Sequence, residues 1–283
     1  MEFEHGPDTE KALKILNDWK ILGIPNTELV FNNLNITSLP ELPDEVEILY
    51  CSNTKISQLP KLPKNLKRLD CLSTEINSLP TLPQYLEELV CGFSNLTSLP
   101  SLPKNLKMLY CSSCPLTSLP NLPDSLEELY CKECQISSLP KLPSNLTDLC
   151  CYNNPLHELP ELPNSLIRLS CFQTNISSLP ALPNSIINLN CHFCNLSSLP
   201  DLPKNLVVFN CRNNQLTSLP KFPSMIEWLD CSKNPITILP DIPSSLTWID
   251  CSSTSISFIP KLPLKMLNLN CSLCPNLIIK EEI

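Results

Sequence analysis

The stretch Leu59–Ile76, LPKLPKNLKRLDCLSTEI, decides the fold of this 283-residue chain, because its pattern returns every 20 residues without an insertion. With repeat positions numbered from residue 41, leucine and proline occupy positions 19 and 20 and again positions 2 and 3. Apolar residues also recur at positions 6, 9 and 16, and cysteine recurs at position 11. Residues 21–280 hold thirteen such repeats. A fixed period of this length is typical of a solenoid, in which each repeat packs only on its neighbours.

Each repeat is expected to contain one short strand and an extended return path. Residues 68–71 alternate polar and apolar side chains, which is the period of a half-buried strand. Twenty residues are too few for a strand and a full crossover helix, and the paired prolines remove N–H donors and favour polyproline II. The pattern therefore predicts about thirteen short parallel strands, an extended convex side and almost no helix outside residues 8–22.

The N-terminal segment carries the pattern of a single amphipathic helix. Its apolar side chains recur at helical spacing after a cap candidate at Asp8 or Thr9. They are Ala12, Ile15, Leu16, Trp19 and Leu22. A solenoid needs a terminal element over the open core of its first repeat, so we interpret this helix as a cap. The predicted organisation is a capping segment over residues 1–25 and a repeat array over residues 26–283.

Charge and hydropathy exclude several classes of partner. Lys and Arg number 20 against 28 Asp and Glu, a net charge of -8, and the two signs are interspersed. Such a chain lacks the basic patch that binds nucleic acid or an anionic membrane. The N-terminus has no basic or apolar leader pattern, and no segment has the length of a membrane span. We expect a cytoplasmic protein, in the host cytoplasm if it is an effector or a viral protein.

Twelve of the 17 cysteines form a column at position 11, called here the cysteine column. Its members are Cys51, Cys71, Cys91, Cys111, Cys131, Cys151, Cys171, Cys191, Cys211, Cys231, Cys251 and Cys271. Their period matches that of the core leucines, so they are predicted to be buried, reduced and packed as small apolar side chains.

Metal binding and catalysis are the competing interpretations of these thiols. Cys111, Cys114, Cys131 and Cys134 have the C-x2-C-x16-C-x2-C spacing of a zinc site, but both pairs also fall in the repeat frame. Nucleophilic catalysis requires a histidine near a thiol, and none of the three histidines is well placed. We therefore predict no cofactor and no enzymatic activity.

The repeat resembles a known family. The run Leu66-x-x-Leu69-x-Cys71-x-x-Thr74-x-Ile76 resembles the leucine-rich-repeat consensus, with Cys where Leu or Val is usual. The 20-residue length and paired Leu-Pro resemble the bacterial-effector subtype of YopM and IpaH, and the cysteine column is similar to repeats of giant DNA viruses. The resemblance implies a scaffold that binds a host protein. No cysteine is followed two residues later by Asp, so the Cys-x-Asp site of IpaH ligases is not implied.

Strand alternation places positions 8, 10, 12 and 13 on the concave face, where such repeats bind partners. The candidate partner-binding residues there are Tyr50, Tyr110, Tyr130, Tyr152, Arg168, Phe172, His192, Phe193, Arg212, Trp228, Asp230, Trp248 and Asp250. Exposed Trp, Tyr and Arg supply hot spots at protein interfaces, but lateral stacking between neighbouring strands is an alternative role. A protein partner is favoured over a Cys-rich metal-binding or catalytic module and over an adaptor for a separate effector chain.

The last repeat departs from the pattern. Ile279 and Lys280 replace the usual Leu-Pro pair, and no helix-forming segment follows. Leu267, Leu269 and Leu273, with Ile279, would then leave an open core edge. The sequence therefore predicts self-association or a partner at this C-terminal edge.

Overall fold

The computed structural model describes residues 7–22 and 27–278. The chain divides into two compact units, which are described separately: unit 1 is Met1–Ile136 and unit 2 is Ser137–Ile283. Ile279 lies outside the described residues.

Unit 1 consists of one helix and six strands. The helix α1 spans Thr9–Leu22, and the strands are β1 (Glu28–Val30), β2 (Ile48–Tyr50), β3 (Arg68–Asp70), β4 (Glu88–Val90), β5 (Met108–Tyr110) and β6 (Glu128–Tyr130). Neighbouring strands are parallel and pair residues that lie 20 apart, such as Leu49 with Leu69. Ala12 and Leu16 are buried on α1, which contacts β1. The predicted helix is confirmed, and its position against β1 is the one expected of a cap.

Unit 2 continues the same pattern with seven parallel strands. They are β7 (Asp148–Cys150), β8 (Arg168–Ser170), β9 (Asn188–Asn190), β10 (Val208–Asn210), β11 (Trp228–Asp230), β12 (Trp248–Asp250) and β13 (Asn268–Asn270). In the described parts of both units α1 is the only helix, and no helix has the length and apolar character needed to cross a membrane. The predicted solenoid of thirteen short strands with helix-free return paths is confirmed.

Each repeat closes its own layer of core. Leu66, Leu69 and Ile76 have no exposed surface, and each such side chain contributes about 2 kcal/mol through burial. The return path ends in a turn that the repeat pattern did not predict, in which the Leu66 amide donates to the Pro63 carbonyl at 3.2 Å. This turn redirects the chain from the Leu-Pro segment into the strand.

The cysteine column lies in this core. Eleven of its twelve thiols are buried and Cys271 is half-buried, so the predicted burial is confirmed. Burial raises the pKa of the Cys51 thiol to about 12, with a smaller contribution from the nearby Asp70 carboxylate. The Cys51 thiol therefore remains protonated at neutral pH and packs as an apolar group.

Position 13 of every repeat adopts a left-handed backbone. Thirteen residues without a glycine among them have positive φ, for example Phe93 at 52°, Phe193 at 49° and Lys233 at 54°. This conformation is unfavourable for residues with a Cβ, and Asn tolerates it best. The bend ends the regular strand geometry, so alternation does not extend to positions 12 and 13.

Candidate protein-binding surface

The outward side chains of each strand form what we call the open face. In β8 the middle residue Leu169 is buried, Arg168 on one side of it is exposed, and Ser170 on the other is half-buried. Because the strands are in register, residues at the same repeat position lie side by side on this face. Position 12 departs from this arrangement, since Ser112 and Ser232 are fully buried, and this corrects the expectation that position 12 is uniformly exposed.

Three aromatic rings of unit 2 stack at position 12, next to the open face, where the His192 ring contacts the Asn190 side chain of β9. The ring centroids of Tyr152 and Phe172 are 4.0 Å apart with an interplanar angle of 15°. Phe172 and His192 continue the stack at 4.2 Å and 16°, and Phe193 meets the His192 ring edge-on at 5.4 Å. Such pairs hold one another in place, so the stack presents a fixed apolar surface.

The surroundings of the His192 imidazole shift its pKa. Burial lowers its pKa, the Asp230 carboxylate opposes this shift, and the Arg212 guanidinium adds to it. Its Nδ1 lies 2.5 Å from the Asn190 side-chain oxygen, so the ring is held against the outward side chain of β9.

Two tryptophans form a second aromatic group on the same unit. Trp228 of β11 pairs in register with Trp248 of β12, and their rings stack at 4.5 Å with an interplanar angle of 8°. Both residues are half-buried, so part of each indole remains exposed beside the stacked faces.

Two ion pairs of unit 2 have a buried carboxylate and a more exposed arginine. Arg168 is bound to Asp148, and the side chains are 59% and 6% exposed respectively. Arg212 lies 4.0 Å from Asp230, whose side chain is only 9% exposed. The Asp230 carboxylate accepts hydrogen bonds from the Ser232 amide and hydroxyl. Asp230 is therefore corrected from a contact residue to a buried supporting residue.

Asp250 remains accessible but is also engaged. Its carboxylate accepts from the Ser252 amide at 2.9 Å and from the Asn270 side-chain amide at 2.9 Å. These bonds fix the carboxylate between two consecutive repeats.

The predicted tyrosines of unit 1 lie on the open face of that unit. Tyr110 and Tyr130 are 5.9 Å apart, and the Tyr130 hydroxyl donates to Glu128 at 2.9 Å. Tyr50 lies 5.4 Å from the Arg68 guanidinium. A Cβ added at Gly92 would come within 2.7 Å of the Tyr110 ring, so glycine at that position makes room for the tyrosine.

An aliphatic group at position 7 was not predicted from strand alternation. Ile167, Ile187 and Val207 occupy this position in three consecutive repeats, and Ile187 is 43% exposed. Position 7 precedes the three-residue strand, so alternation within the strand did not assign it. The sequence signal for this group is the change at position 7 from charged residues in unit 1 to aliphatic residues in these three repeats.

The cysteines outside the column act mainly as hydrogen-bond donors. Cys114 donates to the Cys91 carbonyl at 3.6 Å, and Cys134 donates to the Cys111 carbonyl at 3.5 Å. Residues 7–22 and 27–278 contain no group of three or more His, Cys, Asp or Glu side chains that could hold a metal ion.

Cys194 differs from the other thiols. Hydrogen bonding with Cys171 and Thr174 lowers the pKa of its thiol below the ordinary value, against the effect of burial. The residue is only 7% exposed, so a substrate has little access to this thiol.

Comparison with known proteins identifies similar solenoids. No family model and no curated protein matches the chain. Among solved structures, it is similar to YopM from Yersinia pestis, described as a leucine-rich effector protein, with 33% identity, a TM-score of 0.83, and coverage of 95% of this chain and 83% of YopM. YopM from Yersinia enterocolitica gives 32% identity, a TM-score of 0.78 and coverage of 90% and 67%.

A more distant match shares only the fold. The functional domain of InlJ from Listeria monocytogenes, which includes a cysteine ladder, gives 24% identity, a TM-score of 0.72 and coverage of 89% and 54%. The similarity to giant-virus repeats stays a prediction.

Proposed function

Because this chain belongs to the leucine-rich-repeat family, together with the effector YopM, we propose that it is a scaffold that binds a protein partner on the open face of unit 2. The likeness to an effector supports a host protein as that partner and the host cytoplasm as the place of binding. No catalytic step and no cofactor are part of this proposal.

The observation that carries the proposal is the fixed aromatic surface of unit 2. Unit 2 contains the stack of Tyr152, Phe172 and His192 and the stacked pair of Trp228 and Trp248, five ordered rings in total. Aromatic side chains and arginine are the residue types enriched at interface hot spots, and Arg168 and Arg212 belong to the same unit with partly exposed side chains. Rings that are already ordered lose little conformational entropy when a partner binds.

Site-specific photo-crosslinking tests this function. A benzophenone side chain would replace Phe193, which is 43% exposed and packs edge-on against His192 at the end of the aromatic stack of unit 2. The matched control would replace Tyr85, which is 49% exposed in unit 1 and precedes the strand. After irradiation in host-cell lysate, we expect a discrete protein adduct at position 193 and none at position 85. Adducts at position 85 alone, or equal adduct patterns at both positions, would contradict the proposal.

Self-association through the last repeat is a second candidate, and exposed leucines favour it. Leu264, Leu267 and Leu273 expose most of their side chains, with relative exposures of 107%, 84% and 80%. Large exposed apolar side chains favour association with another surface. We expect light scattering to show a mass that rises with concentration and returns to the monomer value in the Leu267→Lys, Leu273→Lys variant. A constant monomer mass in the wild type would count against it.

A further inference from the structure

We propose that Cys171 and Cys194 form an oxidation-sensitive thiol pair, which closes to a disulfide between two consecutive repeats when the chain meets hydrogen peroxide. Both cysteines are free in the structure, which therefore represents the reduced state of the pair. The proposal does not depend on the protein-binding function, because the reaction involves only this chain and the oxidant.

The pair joins position 11 of one repeat to position 14 of the next. The Cys194 sulfur lies 3.4 Å from the Cys171 carbonyl oxygen and 3.3 Å from the Thr174 hydroxyl oxygen. The Cys171 and Cys194 thiols also hydrogen-bond to each other. Strand β8 ends directly before Cys171 and pairs in register with β9 of the next repeat. Because the thiols are already in contact and the strands are paired, closing an S–S bond of about 2 Å moves the two side chains and not the strands.

Cys194 is the thiol of the pair that reacts first. Hydrogen bonding with Cys171 and Thr174 lowers the pKa of the Cys194 thiol. The hydrogen bond to Cys194, together with burial, raises the pKa of the Cys171 thiol well above its ordinary value. The thiolate is the form that attacks peroxide, so Cys194 attacks and Cys171 resolves. Cys194 is 7% exposed, and hydrogen peroxide is small enough to reach it through a local opening of the chain.

The reaction consumes two thiols and one peroxide. The Cys194 thiolate attacks a peroxide oxygen, the O–O bond breaks, and the released hydroxide takes up the proton that Cys194 gave up. This step leaves a sulfenic acid at Cys194 and one water. The Cys171 sulfur then attacks the Cys194 sulfur, the S–O bond breaks, and the hydroxide leaves as a second water with the Cys171 proton. Two electrons have passed from the sulfurs to the peroxide, and a thiol reductant reverses the oxidation of the pair.

The equivalent thiol of unit 1 has different surroundings. Cys134 also occupies position 14 and donates to the Cys111 carbonyl at 3.5 Å. Burial raises the pKa of the Cys134 thiol to about 11, so little of its thiolate is available to peroxide at neutral pH. Cys134 is therefore the matched control for Cys194.

The thiol pair adjoins the aromatic stack of unit 2. Phe172 follows Cys171 in the chain, and His192 lies two residues before Cys194. The rings of Phe172 and His192 stack with their centroids 4.2 Å apart. A disulfide between Cys171 and Cys194 would therefore join the two repeats that carry these stacked rings.

Peptide mapping after peroxide treatment tests the pair. The reduced full chain would be exposed to a stoichiometric amount of hydrogen peroxide at neutral pH, and its remaining thiols would be blocked with N-ethylmaleimide in urea. Chymotrypsin would then cleave after Phe172 and Phe193. The three nearby cysteines fall in separate peptides, namely Cys171, Cys191 and Cys194. We expect mass spectrometry to show one cross-linked species that joins Cys171 to Cys194 and that disappears after treatment with dithiothreitol.

Serine variants separate this pair from the other thiols. Cys194→Ser removes the attacking thiol, and Cys134→Ser is the control. Serine fits position 14, since the buried Ser94 donates there to the Cys91 carbonyl at 2.8 Å. Urea unfolding midpoints close to that of the wild type would show that the variants fold. Threonine, which Thr174 places at the same position, would replace serine in a variant that does not fold.

We expect Cys194→Ser to lose thiols to peroxide at least about tenfold more slowly than the wild type, and Cys134→Ser to lose them at the wild-type rate. Equal rates in the two variants would overturn the proposal. A disulfide that forms first at another pair of cysteines, or oxidation of Cys194 to a sulfinic acid without the cross-link, would also overturn it.

Discussion

Replacing Asn234 by Ala should destabilise unit 2 more than any exposed Asn replacement does, because one buried side chain joins two consecutive repeats. Asn234 is 2% exposed. Its amide group donates to the carbonyls of Cys211 at 3.0 Å, Cys231 at 3.1 Å and Ser232 at 3.2 Å. Its side-chain oxygen accepts from the Leu216 amide at 3.1 Å.

The expected decrease in the free energy of unfolding follows from the buried groups that lose a hydrogen-bond partner. In the Ala variant the buried Leu216 N–H and the Cys231 carbonyl both lose their side-chain hydrogen bond, so the free energy of unfolding should fall by about 3 kcal/mol. Thr at the equivalent position 254 donates to the Cys251 carbonyl at 2.7 Å. The Asn234→Thr variant should therefore restore the bond to Cys231 and lose about 1.5 kcal/mol.

Urea unfolding measures the change in the global free energy of unfolding, and hydrogen exchange at the Leu216 amide measures the change in the free energy of local opening. A loss of about 3 kcal/mol corresponds to exchange roughly 100-fold faster in the Ala variant. Asn175→Ala is the control, because this residue is exposed at position 15, and its cost should stay within about 0.5 kcal/mol. Equal costs for Ala and Thr, or a cost below about 1 kcal/mol for Ala, would refute the hydrogen-bond reasoning.

Three other predictions concern the backbone, the thiols and His192. Lys233 has a φ of 54°, which Asn tolerates better than Lys and Val tolerates worse. Lys233→Asn should therefore raise the free energy of unfolding in urea by about 0.5 kcal/mol, and Lys233→Val should lower it. The reverse order would contradict the effect assigned to the left-handed backbone. Burial raises the thiol pKa of Cys51 and Cys251 to about 12 from an ordinary value of 9.0, so the folded chain keeps protons that the unfolded chain releases. Their contribution to stability should be fully present below pH 9 and be lost as the pH rises from 9 to about 12, whereas a flat profile would mean that the thiols are accessible. Burial lowers the pKa of His192, so its contribution to stability is present above the ordinary histidine pKa and is lost as the pH falls through the lowered value. The loss of stability between pH 7.5 and pH 5 should be smaller in His192→Phe, and an unchanged difference would show that other groups cause it.

The sequence specifies the fold through spacing alone. Core residues such as Leu66, Leu69 and Cys71 recur at a fixed period, and the Leu-Pro pairs exclude a crossover helix. Each repeat therefore has one way to bury its apolar residues against the next. The Pro63 to Leu66 turn was not predicted because proline signals an extended segment as readily as a turn.

The binding surface was only partly predictable, because strand alternation describes three residues of each repeat. It placed Trp228 and Trp248 correctly side by side. It failed for Asp230, which Ser232 draws into a buried hydrogen-bonded position, and it did not reach Ile187, which precedes the strand. These placements depend on contacts between repeats and on the left-handed residue at position 13, and no local pattern encodes them.

The most direct test of the scaffold function is the affinity of the partner captured at position 193 for the Trp228→Ala, Trp248→Ala double variant. The stacked pair stabilises the fold by about 1 kcal/mol, and an exposed indole in a partner's pocket contributes about 2 kcal/mol or more to binding. We expect binding at least about tenfold weaker than in the wild type, with a melting temperature only a few degrees lower. Unchanged affinity together with lowered stability would mean that the tryptophans only stack on each other, and it would contradict their assignment to the partner-binding surface.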